Sequence, residues 1–503
     1  MSIIGIRNIN SNYTNTNKLS TTNKLSTTKS LIILPHQLIA YHFLKTHKGI
    51  LLFHKMGSGK TISSLYAAIQ FNKPIIIIGP KSSKKSFIDD LEKLSNILPL
   101  NTNTNTNTNT NTNTNNYKFY SYQKIINILQ SNFDIFNDKI IIIDEAHHLR
   151  SQTPHMMHII NSLVFAHRII LLTGTPIINH PIDLCVLVNI VKNAEIFSID
   201  KSLFDFYYLD RIDDFNSVEN NTRSNFPILK LKNKPELKTK LSDAISFYEP
   251  LTDKNILQIN IFYPNVPLNN AQLIEYKKYI VKLINPISKR IVHLETDINA
   301  EDFNIDFVSL NTTKKNAFLT ATRQLSNTID NDPSSPKILE IIKHVLDGPK
   351  PIIIYSNFLA NGIFPISVQL NKYGISYRMI KGTTSEDKMN TIINEYNNGM
   401  LDVLLISSAA SESITLLNTR QMHIVEPHFN EAKINQVIGR AIRYKSHEKL
   451  KQDSRQISIY HWTSVFPNYI KYKTADQYLI WLGRKKQQLI DEFINLVKEV
   501  SIK

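Results

Sequence analysis

His54-Lys55-Met56-Gly57-Ser58-Gly59-Lys60-Thr61 decides the fold. The apolar run before it, Gly49–Phe53, reads as a short buried strand, and Ile62–Phe71 behind it reads as an apolar helix. Strand, glycine loop, Lys-Thr and helix together are the setting of a phosphate-binding loop. Glycines at 57 and 59 let the backbone N–H groups of Met56, Gly57, Ser58 and Gly59 converge on a phosphate. The positive end of the following helix adds to that field. Lys60 is spaced to reach the β- and γ-phosphates of a nucleoside triphosphate, and the Thr61 hydroxyl to ligate Mg²⁺. In one place the chain departs from the strict pattern, which has glycine where this chain has His54.

Two more segments extend the site. Lys139–Ile143 is a lysine followed by four isoleucines, the composition of a strand buried on both faces. It ends in Asp144-Glu145-Ala146-His147-His148, so two carboxylates stand at the C-terminal end of a buried parallel strand, where α/β sheets bind ligands. Asp144 is expected to hold Mg²⁺, partly through water, and Glu145 to orient and deprotonate an attacking water. No metal-ligand spacing accompanies His147, which reads as a coupling residue, and His148 reads as a solvated histidine. A further strand, Arg168–Leu172, runs into Thr173-Gly174-Thr175-Pro176, whose small hydroxyl residues can link the phosphate site to a neighbouring domain.

The remainder of the chain is consistent with a globular, α/β protein. Its 503 residues are 42% hydrophobic and 20% charged, which excludes disorder of the whole chain and suits three domains, or two with an insertion. The formal net charge of +16 points to a polyanion partner. A single cysteine, Cys185, excludes an intramolecular disulfide framework and fits a reducing compartment. No apolar run approaches the ~18–20 residues of a membrane helix, and Met1–Thr14 lacks the apolar core of a secretory signal. Residues 1–30 read as a disordered polar tail with NKLSTT repeated within 17–28, and 101–116 as a mobile low-complexity loop of Asn-Thr dipeptides. Only 13 residues are glycine, and four of them (Gly57, Gly59, Gly174 and Gly439) fall in the phosphate loop, the TGTP turn and QVIGRAIR.

Beyond about residue 196 the chain is polar and helix-prone, and 201–336 is expected to be a mainly helical insertion and linker. The α/β rhythm then returns. Ile338–Leu346 and Gly362–Tyr373 read as helices, Pro351–Tyr355, Leu401–Ile406 and Met422–Glu426 as strands. Asn430–Tyr444 reads as a helix carrying Gln436, Arg440 and Arg443. The two arginines are three apart, hence on one face, an arrangement suited to stabilising charge on a transferred phosphoryl group.

Taken in order, LPHQ (34–37), MGSGKT (56–61), DEAH (144–147), LTGTPI (172–177), IIIYSNF (352–358) and QVIGRAIR (436–443) resemble the core of a superfamily-two helicase. The resemblance implies an α/β fold of two RecA-like parallel-sheet domains in tandem, 31–200 and 337–470, with ATP and Mg²⁺ between them and a C-terminal helix at 471–503. It also implies that Gln37 reads the adenine and that Arg440 and Arg443 reach ATP from the second domain. LTGTPI with Asn179 is similar to chromatin-remodelling-type ATPases. SPK (335–337), the VEP-HFN stretch (425–430), RYKSH (443–447) and the ending 474–493 are similar to poxvirus nucleoside triphosphatase I and the helicase-like subunit of the early transcription factor. A large DNA virus is therefore the expected source, and virion and host cytoplasm the expected setting. Ala410-Ser411-Glu412-Ser413 departs from the Glu-Gly usual in these families. The nucleic-acid face is expected at Lys81, Ser82 and Ser83, at Ser356 and Asn357, at Lys381-Gly382-Thr383 and at Ser407-Ser408, contacting backbone phosphate. The function implied is an ATP-driven motor on nucleic acid in viral transcription, with duplex DNA favoured as partner and a polymerase or transcription-factor subunit as a second one. RNA helicase and a scaffold with decayed ATPase are the alternatives.

Overall fold

The computed structural model describes residues 33–55, 57–95, 117–151, 153–212, 228–249, 257–284, 298–303, 305, 312–408, 414–428, 431–442 and 446–502. Met56, Arg443, Ser413, the 1–30 tail and the 101–116 repeat lie outside the described residues.

Two six-stranded sheets, every pairing parallel, form the two lobes of a tandem RecA-like architecture. The first joins β1 (Gly49–His54), β2 (Ile75–Ile78), β3 (Tyr117–Tyr120), β4 (Ile140–Ile143) and β5 (Arg168–Thr173). Its order is β3-β2-β4-β5-β1-β8, where β8 is Ile245–Tyr248. The isoleucine runs of β2 and β4 face each other in register, Ile75 against Ile140 through Ile78 against Ile143, and all eight are buried. Such strands belong at the centre of a sheet covered by helices on both faces. This places Asp144 and the phosphate loop together at the C-terminal edge of the sheet.

The second sheet runs β12-β13-β11-β14-β15-β9, from β9 (Gln258–Phe262), β11 (Ile352–Ser356), β12 (Tyr377–Ile380), β13 (Val403–Ser407), β14 (Gln421–Ile424) and β15 (Gln456–His461). Helix Glu431–Ala441 follows β14, close to the expected Asn430–Tyr444.

The segment 201–336 carries more strand than its composition suggests. It has the helices Lys201–Tyr208, Lys234–Leu241, Asn270–Ile284 and Thr312–Asn327. It also supplies the antiparallel hairpin β6–β7 (Leu209–Ile212 with Ile228–Leu231), and β8 and β9 complete one edge of each sheet. A further strand, β10 (Asn265–Pro267), pairs in parallel with β16 (Thr463–Val465). These are short edge strands, whose side chains need no continuous apolar run, so periodicity does not mark them.

The last helix, Ala475–Glu499, spans about 37 Å at 1.5 Å per residue. Its first turn packs with Tyr276, Phe318 and Phe466 beside the second lobe, whereas Leu489, Ile490, Phe493, Leu496 and Val497 sit in the core of the first. It therefore binds the two lobes together. Among the described residues no helix is long and apolar enough to cross a membrane.

Candidate active site

The phosphate loop has the backbone its glycines allow. Gly57 and Gly59 both take φ +79°, a left-handed conformation that a side chain resists. A Cβ on Gly59 would also come within 2.3 Å of the Gln37 amide nitrogen. Gln37 is buried against the loop, and its amide oxygen accepts from the Leu34 N–H at 2.8 Å. The Lys60 ammonium donates to the carbonyl oxygens of His54 (2.9 Å) and Lys55 (3.4 Å). The Ser58 hydroxyl is buried and has no hydrogen-bond partner among the described residues. A cradle of left-handed glycines, an inward lysine and an unsatisfied loop hydroxyl suits a triphosphate.

His54 fills the place of the expected glycine without entering that cradle. It is fully buried, and its Nε2 lies 3.0 Å from Ser246 Oγ on β8. Burial, Lys60 and His36 push its pKa down to about 3, so the ring is neutral. His36 in turn stacks on Tyr248 at 3.6 Å and meets Ser58 O at 2.9 Å.

Asp144 and Glu145 are adjacent carboxylates with opposite shifts. Burial and the charge of Glu145 push Asp144 up to about 6, against the pull of Lys60 and a hydrogen bond from Ser83. Burial alone would raise Glu145 as well, but the His147 hydrogen bond and charge, with Lys60 and Arg440, outweigh it and the net shift is downward. The Glu145 side chain keeps 35% of its surface exposed. An ionised carboxylate open to solvent suits a general base.

His147 couples, as its surroundings require. Its Nδ1 lies 3.3 Å from Glu145 Oε2 and 3.3 Å from Thr173 Oγ1. Thr173 Oγ1 accepts from the Thr175 N–H at 3.1 Å. Thr175 Oγ1 accepts from Gln436 Nε2 at 3.2 Å, and Gln436 stands one turn before Arg440 on helix Glu431–Ala441. A polar chain thus runs from Glu145 in the first lobe to the arginine helix of the second. Arg440 is near enough for its charge to hold Glu145 down. Thr61 opens helix Lys60–Ile69 beside the loop. Among the described residues no group of three or more His, Cys, Asp or Glu could hold a metal ion by itself.

Several residues expected at the nucleic-acid face are used otherwise. Ser356 is fully buried, and its hydroxyl donates to Glu426 Oε2 at 2.9 Å. Asn357 gives both its backbone N–H (2.6 Å) and its side-chain amide (3.0 Å) to Glu426 Oε1. Asn327 joins Glu426 at 2.9 Å and receives Lys337 at 3.0 Å, and Lys337 pairs with Asp476 at 3.1 Å, both buried. This network anchors the SPK segment and the last helix, and commits the buried Ser356 hydroxyl and the half-buried Asn357 to Glu426. The Ser83 hydroxyl is within reach of Pro80 O (2.9 Å) and of Asp144, so it serves the carboxylate instead. Ser407 is buried at 4%. Lys81, Ser82, Gly382 and Thr383 are exposed as expected. Asn327 and Tyr122, which hydrogen-bonds the Asp144-Glu145 backbone, carry no sequence signal, since only the fold brings them in; Glu426 lies in the VEP-HFN stretch, but only the fold sets it against Asn327, Ser356 and Asn357.

A family model of the SNF2-related domain matches residues 16–208, and one of the helicase conserved C-terminal domain matches 336–445. Over 94% of its length the chain is 41% identical to an Acanthamoeba polyphaga mimivirus protein named as an ATP-dependent RNA helicase, covering 98% of that relative. The chain belongs to the superfamily-two helicases. It is therefore an ATP hydrolase of the helicase type. It is also 22% identical to the termination factor NPH-I homolog of African swine fever virus, over 90% of this chain and 76% of the relative. To nucleoside triphosphatase I of Melanoplus sanguinipes entomopoxvirus it is 24% identical, over 90% of this chain and 75% of the relative.

Proposed function

We propose that this helicase-type ATPase is a motor that steps along duplex DNA during transcription by a large DNA virus, in virion and host cytoplasm. Its working lobes are 31–200 and 337–470, joined through 201–336 and tied by the helix within 471–503. The loop residues Met56–Thr61 and Gln37 hold ATP, Lys60 against the β- and γ-phosphates and Gln37 against the adenine. Thr61 and Asp144 supply oxygen ligands for Mg²⁺, which when bound neutralises developing phosphate charge. Glu145 takes the proton of the attacking water, and Arg440 with Arg443 stabilises the transferred phosphoryl group. The observation that carries this reading is the chain Glu145–His147–Thr173–Thr175–Gln436, which ties the base to the helix bearing Arg440. Such a link makes hydrolysis depend on how the lobes close, as a nucleic-acid motor requires.

The relatives named as termination factor and nucleoside triphosphatase I favour a place in transcription, beside a polymerase or transcription-factor subunit. The relative named as RNA helicase supports a second reading, in which RNA is the track. An ATPase assay with single-stranded DNA, duplex DNA and RNA separates them. Stimulation by duplex DNA above the others is expected, stimulation by RNA alone would favour the second reading, and stimulation by neither would favour a scaffold.

A further inference from the structure

We infer that Tyr122 is a positioning residue for hydrolysis, holding the Asp144-Glu145 turn through one hydroxyl placed between two carbonyl oxygens. This rests on the reading of Glu145 as the base.

Tyr122 begins the helix Tyr122–Leu129, directly after the edge strand β3. The helix start is fixed by Ser121, whose hydroxyl accepts from the Lys124 N–H at 3.3 Å. The Tyr122 hydroxyl donates to Asp144 O at 2.8 Å and lies 3.2 Å from Glu145 O. The Asp144 N–H still belongs to the sheet, bonded to Ile78 O at 2.8 Å. Its carbonyl has passed the end of the ladder and finds the phenol instead. One residue on, Glu145 adopts φ +50° and ψ +46°, a left-handed conformation unusual for a glutamate. A side chain resists that conformation, so the surroundings must over-determine it. Besides Tyr122, the Glu145 carbonyl accepts the His148 N–H at 3.0 Å, and the edge of the Tyr122 ring meets His148 at 5.3 Å. Ser83 approaches the Asp144 side chain.

The direction in which the Glu145 carboxylate points follows from the φ and ψ of that residue. A turn that loses its hydroxyl brace can relax from the left-handed conformation and carry the carboxylate off the line of attack. The phosphate grip is built on Lys60 and the glycine loop, which Tyr122 does not touch. Tyr122 therefore acts on turnover and not on nucleotide affinity.

The test uses the full chain with Tyr122→Phe, which removes one oxygen and keeps the ring. We expect kcat to fall about tenfold, the effect of one lost hydrogen bond of ordinary strength. KM for ATP should stay within about twofold, and the single-turnover hydrolysis rate should fall in step with kcat, as for a step-specific loss. Binding of a fluorescent ATP analogue should be unchanged, which also certifies the fold; loss of that binding would count against the inference. A wild-type kcat would overturn it. Glu145→Gln is measured alongside: normal turnover there would remove the base reading, whereas a Glu145→Gln that does not hydrolyse ATP beside an unimpaired Tyr122→Phe would remove only the role of Tyr122.

Discussion

Lys60 rests its ammonium on the carbonyl oxygens of His54 and Lys55, beside the glycine loop. Lys60→Ala should lose ATP binding, read by equilibrium dialysis or fluorescence, because the phosphates lose their main side-chain cation. Glu145→Gln should bind ATP and not hydrolyse it, since the base goes and the Asp144 site is spared. Arg440→Ala should lower kcat far more than it raises KM, because a finger acts on transition-state charge; fingers in other NTPases are worth ~10³–10⁵. An unchanged kcat would mean that Arg440 is structural or that Arg443 carries the role. The buried histidines give a separate pH test. Burial, Lys60 and His36 hold His54 near a pKa of about 3, and burial and His344 do the same for His423. Unfolded, each titrates near ~6.5. Below that pH the unfolded chain binds protons that the folded chain refuses, so stability falls as pH falls, by ~1.4 kcal/mol per pH unit for each ring. Melting temperature should be flat in this respect above pH 7 and decline from about pH 6.5 towards 3, and a His423→Gln variant that folds should decline less steeply.

Elements differ in how plainly the sequence announces them, for physical reasons. β4 and its carboxylates are legible because a strand buried on both faces must be continuously apolar, and Asp144 marks its end. Helix Glu431–Ala441 is legible through its apolar spacing and its arginine. β8 and β9 are not, because each is only four or five residues long and its partner lies far along the chain. Ser356 and Asn357 bond Glu426 without a sign in the sequence, because a hydroxyl and an amide look alike whether they face a phosphate or a buried carboxylate, and Glu426 is 70 residues from Ser356. The last helix is legible as a helix, but its second half gives no sign that it fills the first lobe. Phe493, fully buried there, makes that testable. Phe493→Ala should cost ~3–5 kcal/mol, the range for a buried phenylalanine, measured by urea unfolding. If the helix only decorates the surface, the loss will be below ~1 kcal/mol.

For the whole molecule, the question is what a closing of two lobes can do to a nucleic acid. Stepping requires only alternating grip on backbone phosphate, and we propose that Lys81 and Ser82 of the first lobe and Gly382 and Thr383 of the second, all exposed, supply it. Strand separation also requires a wedge that offsets stacking of ~1.4 kcal/mol per base-pair step. The only stretch long enough to hold one is 201–336, and its described parts are already committed. β8 and β9 close the two sheets, while helices Asn270–Ile284 and Thr312–Asn327 pack against the first turn of the last helix. Among the described residues of that segment little remains to stand between strands. We therefore expect ATP-dependent displacement of a triplex-forming strand from duplex DNA, with little opening of a forked duplex under the same conditions. Both assays should be run with Glu145→Gln as the hydrolysis-free control. Efficient fork opening without triplex displacement would overturn duplex stepping and favour a strand-separating helicase, with RNA as the track to test next.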